Sequence, residues 1–284
     1  MINSKKIGLS LTKKILKYLI PFFIGMIFIA WVVLPIVMAL LWSLVNPEYP
    51  WSYPDLFPKS FSLYHWKYIF KYSNIISSIY NSTIIAVCST LWSFTLSLPT
   101  AYALGRRDLK GKEFFKIIIL FPLIFPGMSM ALFLGRFLFM LGLSQTYTGI
   151  IIAHTLIGIP YMLRILTVSF ESLPQELIDA ADNLGAGGFI IFKEIIFPMI
   201  LPGIVSGSIF TFIMSMEEFN LSFIIGIPNI STIPTILYSY LGENFYRTAA
   251  SVVSLILVIP NIIILIFTER QIKTEYLGAS IGKM

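Results

Sequence analysis

The sequence predicts an all-α protein, a polytopic bundle of six transmembrane helices, and three observations carry that reading. Of its 284 residues, 57% are hydrophobic and only 12% are charged, about half the charged share of an ordinary soluble domain. The apolar residues come in long unbroken blocks, not in stripes with helical or strand spacing. Several blocks exceed the roughly 20 residues that a helix rising ~1.5 Å per residue needs to cross about 30 Å of hydrocarbon.

The first uncharged run, residues 18–45, follows a basic N-terminus, residues 1–17, that carries Lys5, Lys6, Lys13, Lys14 and Lys17. Such a start is similar to that of a secretory leader. The run is too long for one and has no small-residue cleavage site, so it reads as a retained first span. Residues 46–74 form an extracytoplasmic loop in which Trp51, Tyr53, Tyr64, Trp66 and Tyr68 stand among prolines. Aromatic residues of this kind anchor a loop at the lipid interface, and contact with an external protein is the second reading.

Residues 75–269 hold the other five spans, over 75–104, 117–141, 149–169, 199–225 and 248–267, and residues 270–284 form a tail. Pro21, Pro35, Pro99, Pro122, Pro126, Pro160, Pro202 and Pro260 lie within these runs or at their ends. Each implies a kink whose freed backbone groups neighbouring helices must satisfy.

Orientation follows from the basic residues. The N-terminal lysines and the short loop with Arg106, Arg107, Lys110, Lys112 and Lys116 belong in the cytoplasm. An even number of spans returns Arg270, Lys273 and Lys283 to the same side. The formal charge of +6 therefore reports topology, and no nucleic-acid partner is expected.

Cys88 is the single cysteine and lies in an apolar block, which excludes a disulfide framework and a cysteine metal site. His154 has no second ligand at metal spacing and reads as a hydrogen-bonded helix contact. His65 belongs to the outer loop. Arg136 and Arg164, near span ends, can snorkel to the interface.

The least apolar internal stretch is residues 170–198, FESLPQELIDAADNLGAGGFIIFKEIIFP. Its pattern predicts a helix from Pro174 through Ala181 and Leu184, a break at Gly185, Gly187 and Gly188, a second short helix over 189–196, and a fifth span starting at Pro198. Gly185 permits a sharp turn. Glu171, Glu176, Asp179 and Asp182 offer carboxylates to a basic partner.

Within it stand Asp179-Ala180-Ala181, then Gly185 after three residues, Ile195 after nine more, and Phe197-Pro198 one residue further on. This resembles the Glu-Ala-Ala signature of the permease subunits of bacterial ABC importers. Every spacing is kept, with Asp for Glu and Phe for Leu. The resemblance covers about residues 81–269 and implies the ABC type I importer permease fold in a bacterial inner membrane.

It further implies that Asp179, Ala180, Ala181, Gly185, Ile195, Phe197 and Pro198 couple the spans to a separate ATPase dimer. The other implied partners are a second permease chain of different sequence, an extracytoplasmic solute-binding protein and membrane lipid. Gly111-Lys112 and Gly282-Lys283 lack the frame of a phosphate-binding loop, so the chain reads as no enzyme in itself. No cofactor is expected on this chain; ATP and Mg belong to the ATPase.

The segment Ser215-Met216-Glu217-Glu218-Phe219-Asn220 interrupts the fifth span. Acidic groups at membrane depth are costly and mark pathways by default, so Glu217, Glu218 and Asn220 are candidate pathway residues. Ion pairs with Arg136 or Arg164 are the structural alternative. Gly203-x-x-x-Gly207 on the same span allows close helix approach.

The segment, with Ile233-Pro234 and Tyr238-Ser239, resembles the polyamine-type permeases, which implies a cationic cargo such as spermidine or putrescine. The same branch handles phosphonate and ferric iron, and these stay open. Two other classes compete. An intramembrane enzyme needs a nucleophile and base, and adjacent glutamates on one helix point about 100° apart. A secondary transporter is expected to show inverted repeats, and none is evident.

Overall fold

The computed structural model describes the backbone of residues 2–281 and the side chains of residues 19, 21–242 and 244–266. The N-terminal lysines and the basic residues of the tail fall outside the described side chains. Among the described residues, regular structure is helical, with one isolated antiparallel bridge between Val45 and Phe61.

The helices are α1 (Ile2–Ser43), α2 (Tyr64–Tyr72), α3 (Ile75–Arg106), α4 (Lys112–Ile119), α5 (Gly127–Met140), α6 (Tyr147–Glu171), α7 (Gln175–Asn183), α8 (Gly188–Ile191), α9 (Phe197–Glu217), α10 (Ile233–Tyr238) and α11 (Arg247–Ile281). Five segments are long and apolar enough to cross a membrane: Pro21–Ser43, Ile75–Arg106, Tyr147–Glu171, Gly188–Glu217 and Arg247–Ile266. Lys112–Leu123 and Gly127–Met140, bent by 92° to each other, make a sixth if taken together.

The kink expected from Pro122 and Pro126 in the third span is a bend of 92°. Pro126 sits in extended geometry (φ −56°, ψ 132°) just before α5. A proline supplies no N–H and pushes the residue before it out of helical backbone, so the helix restarts at Gly127.

The fifth span departs from expectation at both ends. No separate helix forms over 189–196: α8 runs through a π turn, Phe192–Ile196, directly into α9. The Phe197 N–H reaches back to the Phe192 carbonyl, and Pro198 follows with no N–H of its own, so the wider turn sits where the ordinary ladder already lacks a donor. At the far end α9 stops at Glu217, Glu218 is extended (φ −72°, ψ 107°), and a second π turn, Ser222–Gly226, follows. The predicted continuous run over 199–225 is thus a broken helix.

The bundle centres on α3, α6 and α9, which pack against one another along most of their lengths. Small residues set the spacing. A Cβ on Gly105 of α3 would lie 2.7 Å from Phe170 Cβ and 3.0 Å from the Thr167 carbonyl of α6. One on Gly158 would lie 2.7 Å from both Ser93 Oγ and Thr211 Cγ2, and one on Gly207 would lie 2.8 Å from Met162 Sδ. Gly203 meets Ser169 in the same way, so the Gly203-x-x-x-Gly207 pattern does bring α9 onto α6.

The first span is peripheral. It packs along α11 and leaves residues such as Trp31 (76% exposed) open, the surface that lipid or another membrane chain covers. The segment over residues 46–74 is more firmly seated than a simple interfacial anchor. His65 and Ile69 of α2 are buried, Tyr246 Oη lies 3.2 Å from His65 Nδ1, and Trp66 Nε1 donates to Ser43 Oγ.

The closeness of α3 and α6 is directly testable. Gly105→Ala forces a methyl against Phe170 and a backbone oxygen, an overpacking that costs about 1–3 kcal/mol. Gly187→Ala, which meets nothing within 4 Å, is the control. Thermal unfolding of the detergent-solubilised protein should show a lower midpoint for the first and an unchanged one for the second.

Candidate coupling and pathway sites

The coupling candidate begins where Pro174, extended at φ −63° and ψ 125°, leads into α7. Gln175 Nε2 donates to Asp179 Oδ1 at 2.7 Å, one turn along. The helix ends on Gly185 at φ +79°. The Gly185 N–H bonds the Asp182 carbonyl (2.8 Å) and the Ala186 N–H bonds the Ala181 carbonyl (3.0 Å), which is the Schellman closure of a helix C-terminus. A Cβ at Gly185 would meet nothing within 4 Å, so left-handed backbone, not space, requires glycine here.

The two faces of α7 differ. Ile178 and Ala181 rest on an apolar cluster that includes Leu173, Ile191 and Ile196. Glu176, Asp179, Ala180 and Asp182 are exposed, together with Leu177 and Leu184, the latter 88% exposed. Of the two alanines in the motif, only Ala180 therefore lies on the open face; Ala181 supports the helix from below. Ile195, half-buried, and Phe197 and Pro198, exposed, form the foot of the continuous α8–α9 helix.

The basic loop after the second span meets this segment. Arg106 Nη1 donates to the Leu173 carbonyl at 2.9 Å, and its Nη2 donates to Gln175 Oε1. Lys116 Nζ lies 3.0 Å from Glu171 and 3.0 Å from Glu113. The basic loop and the coupling candidate thus occupy one end of the bundle.

At the break in the fifth span, the adjacent glutamates separate. Glu217 is exposed and accepts from Asn261 Nδ2 of α11 at 3.0 Å. Glu218 caps the next turn by accepting from the Leu221 N–H at 3.1 Å. It also borders a pocket of about 10 Å³ shared with His154, Gly158, Thr211 and Ser215, a space of about one water molecule. Among the described residues neither glutamate pairs with Arg136 or Arg164, so the ion-pair alternative falls. Asn220 lies at the other break: a Cβ on Gly127 would come within 2.9 Å of its Nδ2. The two interrupted spans meet there.

His154 of α6 is a helix contact, as expected, and joins both halves of the broken fifth span. Its Nδ1 is 2.8 Å from Ser215 Oγ in α9 and its Nε2 is 3.1 Å from Ser222 Oγ beyond the break. Ser89 of α3 also donates to Ser215 Oγ.

Sequence reasoning missed the polar face of α3. Ser78, Ser82, Ser89, Ser93 and Ser97 are buried at spacings of four and seven residues, the mark of a single helical face. Ser78 Oγ lies 2.8 Å from Ser231 Oγ, Asn81 Nδ2 donates to the Ser231 carbonyl, Tyr147 Oη donates to Asn81 Oδ1, and Ser82 Oγ accepts from the Ile233 N–H.

Comparison with known proteins is consistent with this architecture. Residues 97–273, more than half of the chain, match the family described as binding-protein-dependent transport system inner membrane component. The chain is 28% identical over 211 residues to the molybdenum transport system permease protein ModB of Haemophilus influenzae, covering 68% of this chain and 92% of that one. It is 23% identical over 238 residues to the spermidine/putrescine transport system permease protein PotC of Escherichia coli K12, covering 82% and 88%. Among solved structures, a bacterial ABC transporter involved in the import of the acidic polysaccharide alginate superposes with a TM-score of 0.72 at 19% identity, over 91% of this chain and 97% of that one. The MetNI methionine ABC transporter superposes at 0.59 and 20% identity, over 70% and 95%.

The histidine bridge yields a prediction. His154→Ala takes the partner from the buried Ser222 hydroxyl and leaves Ser215 with Ser89 alone, a loss of roughly 1–3 kcal/mol. Thermal unfolding should report that loss. Limited proteolysis should show faster cleavage near residues 218–222, where the two halves are no longer held together.

Proposed function

The chain belongs to the family of binding-protein-dependent transport system inner membrane components and is an ABC importer permease subunit; on that premise we propose that it couples to its ATPase through residues 170–198 and carries its cargo past Glu218. The observation that carries the coupling reading is α7 itself: a short helix closed by Gly185 at φ +79°, with Asp179, Ala180 and Asp182 on its open face. A capped helix of this kind can lie in a groove of a partner and transmit its motion as a rigid body. Ile178 and Ala181 fasten it to the spans from the inner side.

In this reading ATP and Mg bind on an ATPase dimer, whose closure moves α7 and the foot of α9, around Ile195, Phe197 and Pro198. A second permease chain of different sequence completes the pathway, and an extracytoplasmic binding protein delivers the cargo at the end that carries residues 46–74. N- and C-termini face the cytoplasm. The meeting of the Arg106–Lys116 loop with residues 171–175 supports placing those two segments on one side.

For the cargo we favour a polyamine. Glu218 borders a small pocket at the break of a span, and a carboxylate next to the carbonyl end of a helix attracts cations. PotC, named for spermidine and putrescine, is among the relatives. An oxyanion is the second reading, from the similarity to ModB.

Two experiments test these assignments. Gly185→Val places a branched side chain in left-handed backbone and should abolish uptake while the spans still insert; Gly187→Ala should transport normally. Normal uptake and ATP hydrolysis by an inserted Gly185→Val protein would remove the coupling role. For the pathway, Glu218→Gln should lower spermidine uptake about tenfold, the worth of one charge-assisted hydrogen bond of ~1.5 kcal/mol, in a complex that still assembles. Glu217→Gln, facing Asn261, should change uptake less. Unchanged uptake in both single variants and the double variant removes these residues from the pathway.

A further inference from the structure

We propose that Arg106 and Lys116 form a two-point clamp that ties the coupling segment to the second and third spans, making the third span a lever from the coupling end to the break at Asn220. The inference rests on the coupling reading of α7. By covalent connection, α7 is joined only to α6, through residues 172–174, and to α8 and α9, through the turn at Gly185. No covalent segment joins it directly to α3 or to α4; Ile178 and Ala181 share one apolar cluster with Ala101, Leu104 and Ile119.

Arg106 makes that link at the first point. Its guanidinium donates to the Leu173 carbonyl and to Gln175 Oε1, and Gln175 in turn donates to Asp179. A line of hydrogen bonds thus runs from the end of α3 to the first residue of the Asp179-Ala180-Ala181 motif. The base under Arg106 is rigid. Gly105 approaches Phe170 too closely for a Cβ, the Tyr102 ring stands edge-on to the Phe170 ring at 5.5 Å, and the Arg107 guanidinium lies 5.9 Å over Tyr102.

Lys116 is the second point. Helix α4 buries no residue, and a cavity of about 200 Å³ lined by Leu104, Ile119, Leu120, Leu163 and Thr167 separates this part of the third span from α6. Ile119 at the end of α4 packs on the apolar cluster, and the Lys116–Glu171 ion pair ties the preceding turn to the last residue of α6. Beyond α4 the chain passes a 3₁₀ turn, Phe121–Leu123, and reaches Pro126 and Gly127, where Asn220 packs. Movement at Glu171 therefore has a route to the broken fifth span that bypasses α9.

The Lys116–Glu171 ion pair is exposed and contributes little to folding, and the Arg106 hydrogen bonds lie at the end of the bundle, so removal of both should spare assembly and expose the mechanical role. The test uses the assembled transporter with its ATPase in nanodiscs, on a Cys88→Ser background, with spin labels at positions 110 and 183. Pulsed electron resonance should give one narrow distance in both the nucleotide-free and the vanadate-trapped states. Arg106→Ala with Lys116→Ala should lose that single distance while the ATPase still copurifies and hydrolyses ATP. With Arg106 intact, Lys116→Glu alone should broaden the distribution, and Lys116→Glu with Glu171→Lys should restore it. A double alanine variant with the same narrow distance in both states overturns the clamp. If Gly185→Val still impairs transport in that case, the coupling reading survives the loss of the clamp; if it does not, the coupling reading has failed separately.

Discussion

The structure depends on the close approach of α3, α6 and α9. In hydrocarbon no hydrophobic force draws helices together, so contact distance and interhelical hydrogen bonding must do it. Gly105, Gly158, Gly203 and Gly207 remove side chains at the crossings, and the serines of α3 supply hydroxyls on the face turned inward. Because the three backbones are this near, two of those hydroxyls find partners on the neighbouring helix: Ser93 reaches the Thr155 carbonyl, and Ser89 reaches Ser215. A wider bundle would leave them in lipid-like surroundings with no acceptor.

The same constraint decides where helices can break. A backbone interruption at membrane depth survives only where protein groups take up the freed N–H and C=O groups. The fifth span breaks where Glu218 captures the Leu221 N–H and His154 bridges Ser215 and Ser222. The third span breaks at Pro126, which has no N–H to satisfy, and there Asn220 lies against Gly127. The two breaks adjoin, so the polar groups needed to tolerate one serve the region of the other. The breaks of the third and fifth spans thereby share one zone, next to the glutamate proposed for the pathway.

Much of this was legible in the sequence, for physical reasons that differ by element. Unbroken apolar runs declared the spans of α3, α6 and α11, because length and hydropathy alone determine what crosses. Gly185 was readable as a turn because left-handed backbone selects glycine, and the observed φ of +79° agrees. Glu217 and Glu218 were found by their cost in an apolar run, but their separate partners were not, since one backbone residue at ψ 107° redirects the second side chain. The same residue splits what hydropathy reads as one span over 199–225. Hydropathy likewise merged α4 and α5, being blind to a 92° bend between two apolar segments. The Arg106–Leu173 contact was invisible for another reason: basic residues beside a span are explained by topology alone, which hides any further task.

Three π turns stand within this frame. Among the described residues they occur at Phe192–Ile196, Ser222–Gly226 and Ser239–Glu243. Each replaces ordinary i−4 bonds with wider i−5 bonds, and such turns occur frequently at functional sites. The first lies between the Gly185 turn and the buried length of α9, the second directly after the Glu218 break. Helix α9, set on α6 through Gly203 and Gly207, has one π turn at its start and another beyond its end. Ser215 lies one turn before the break and Ser222 beyond it. His154 touches both, so a single side chain of α6 ties the two halves of the fifth span across the break beside Glu218.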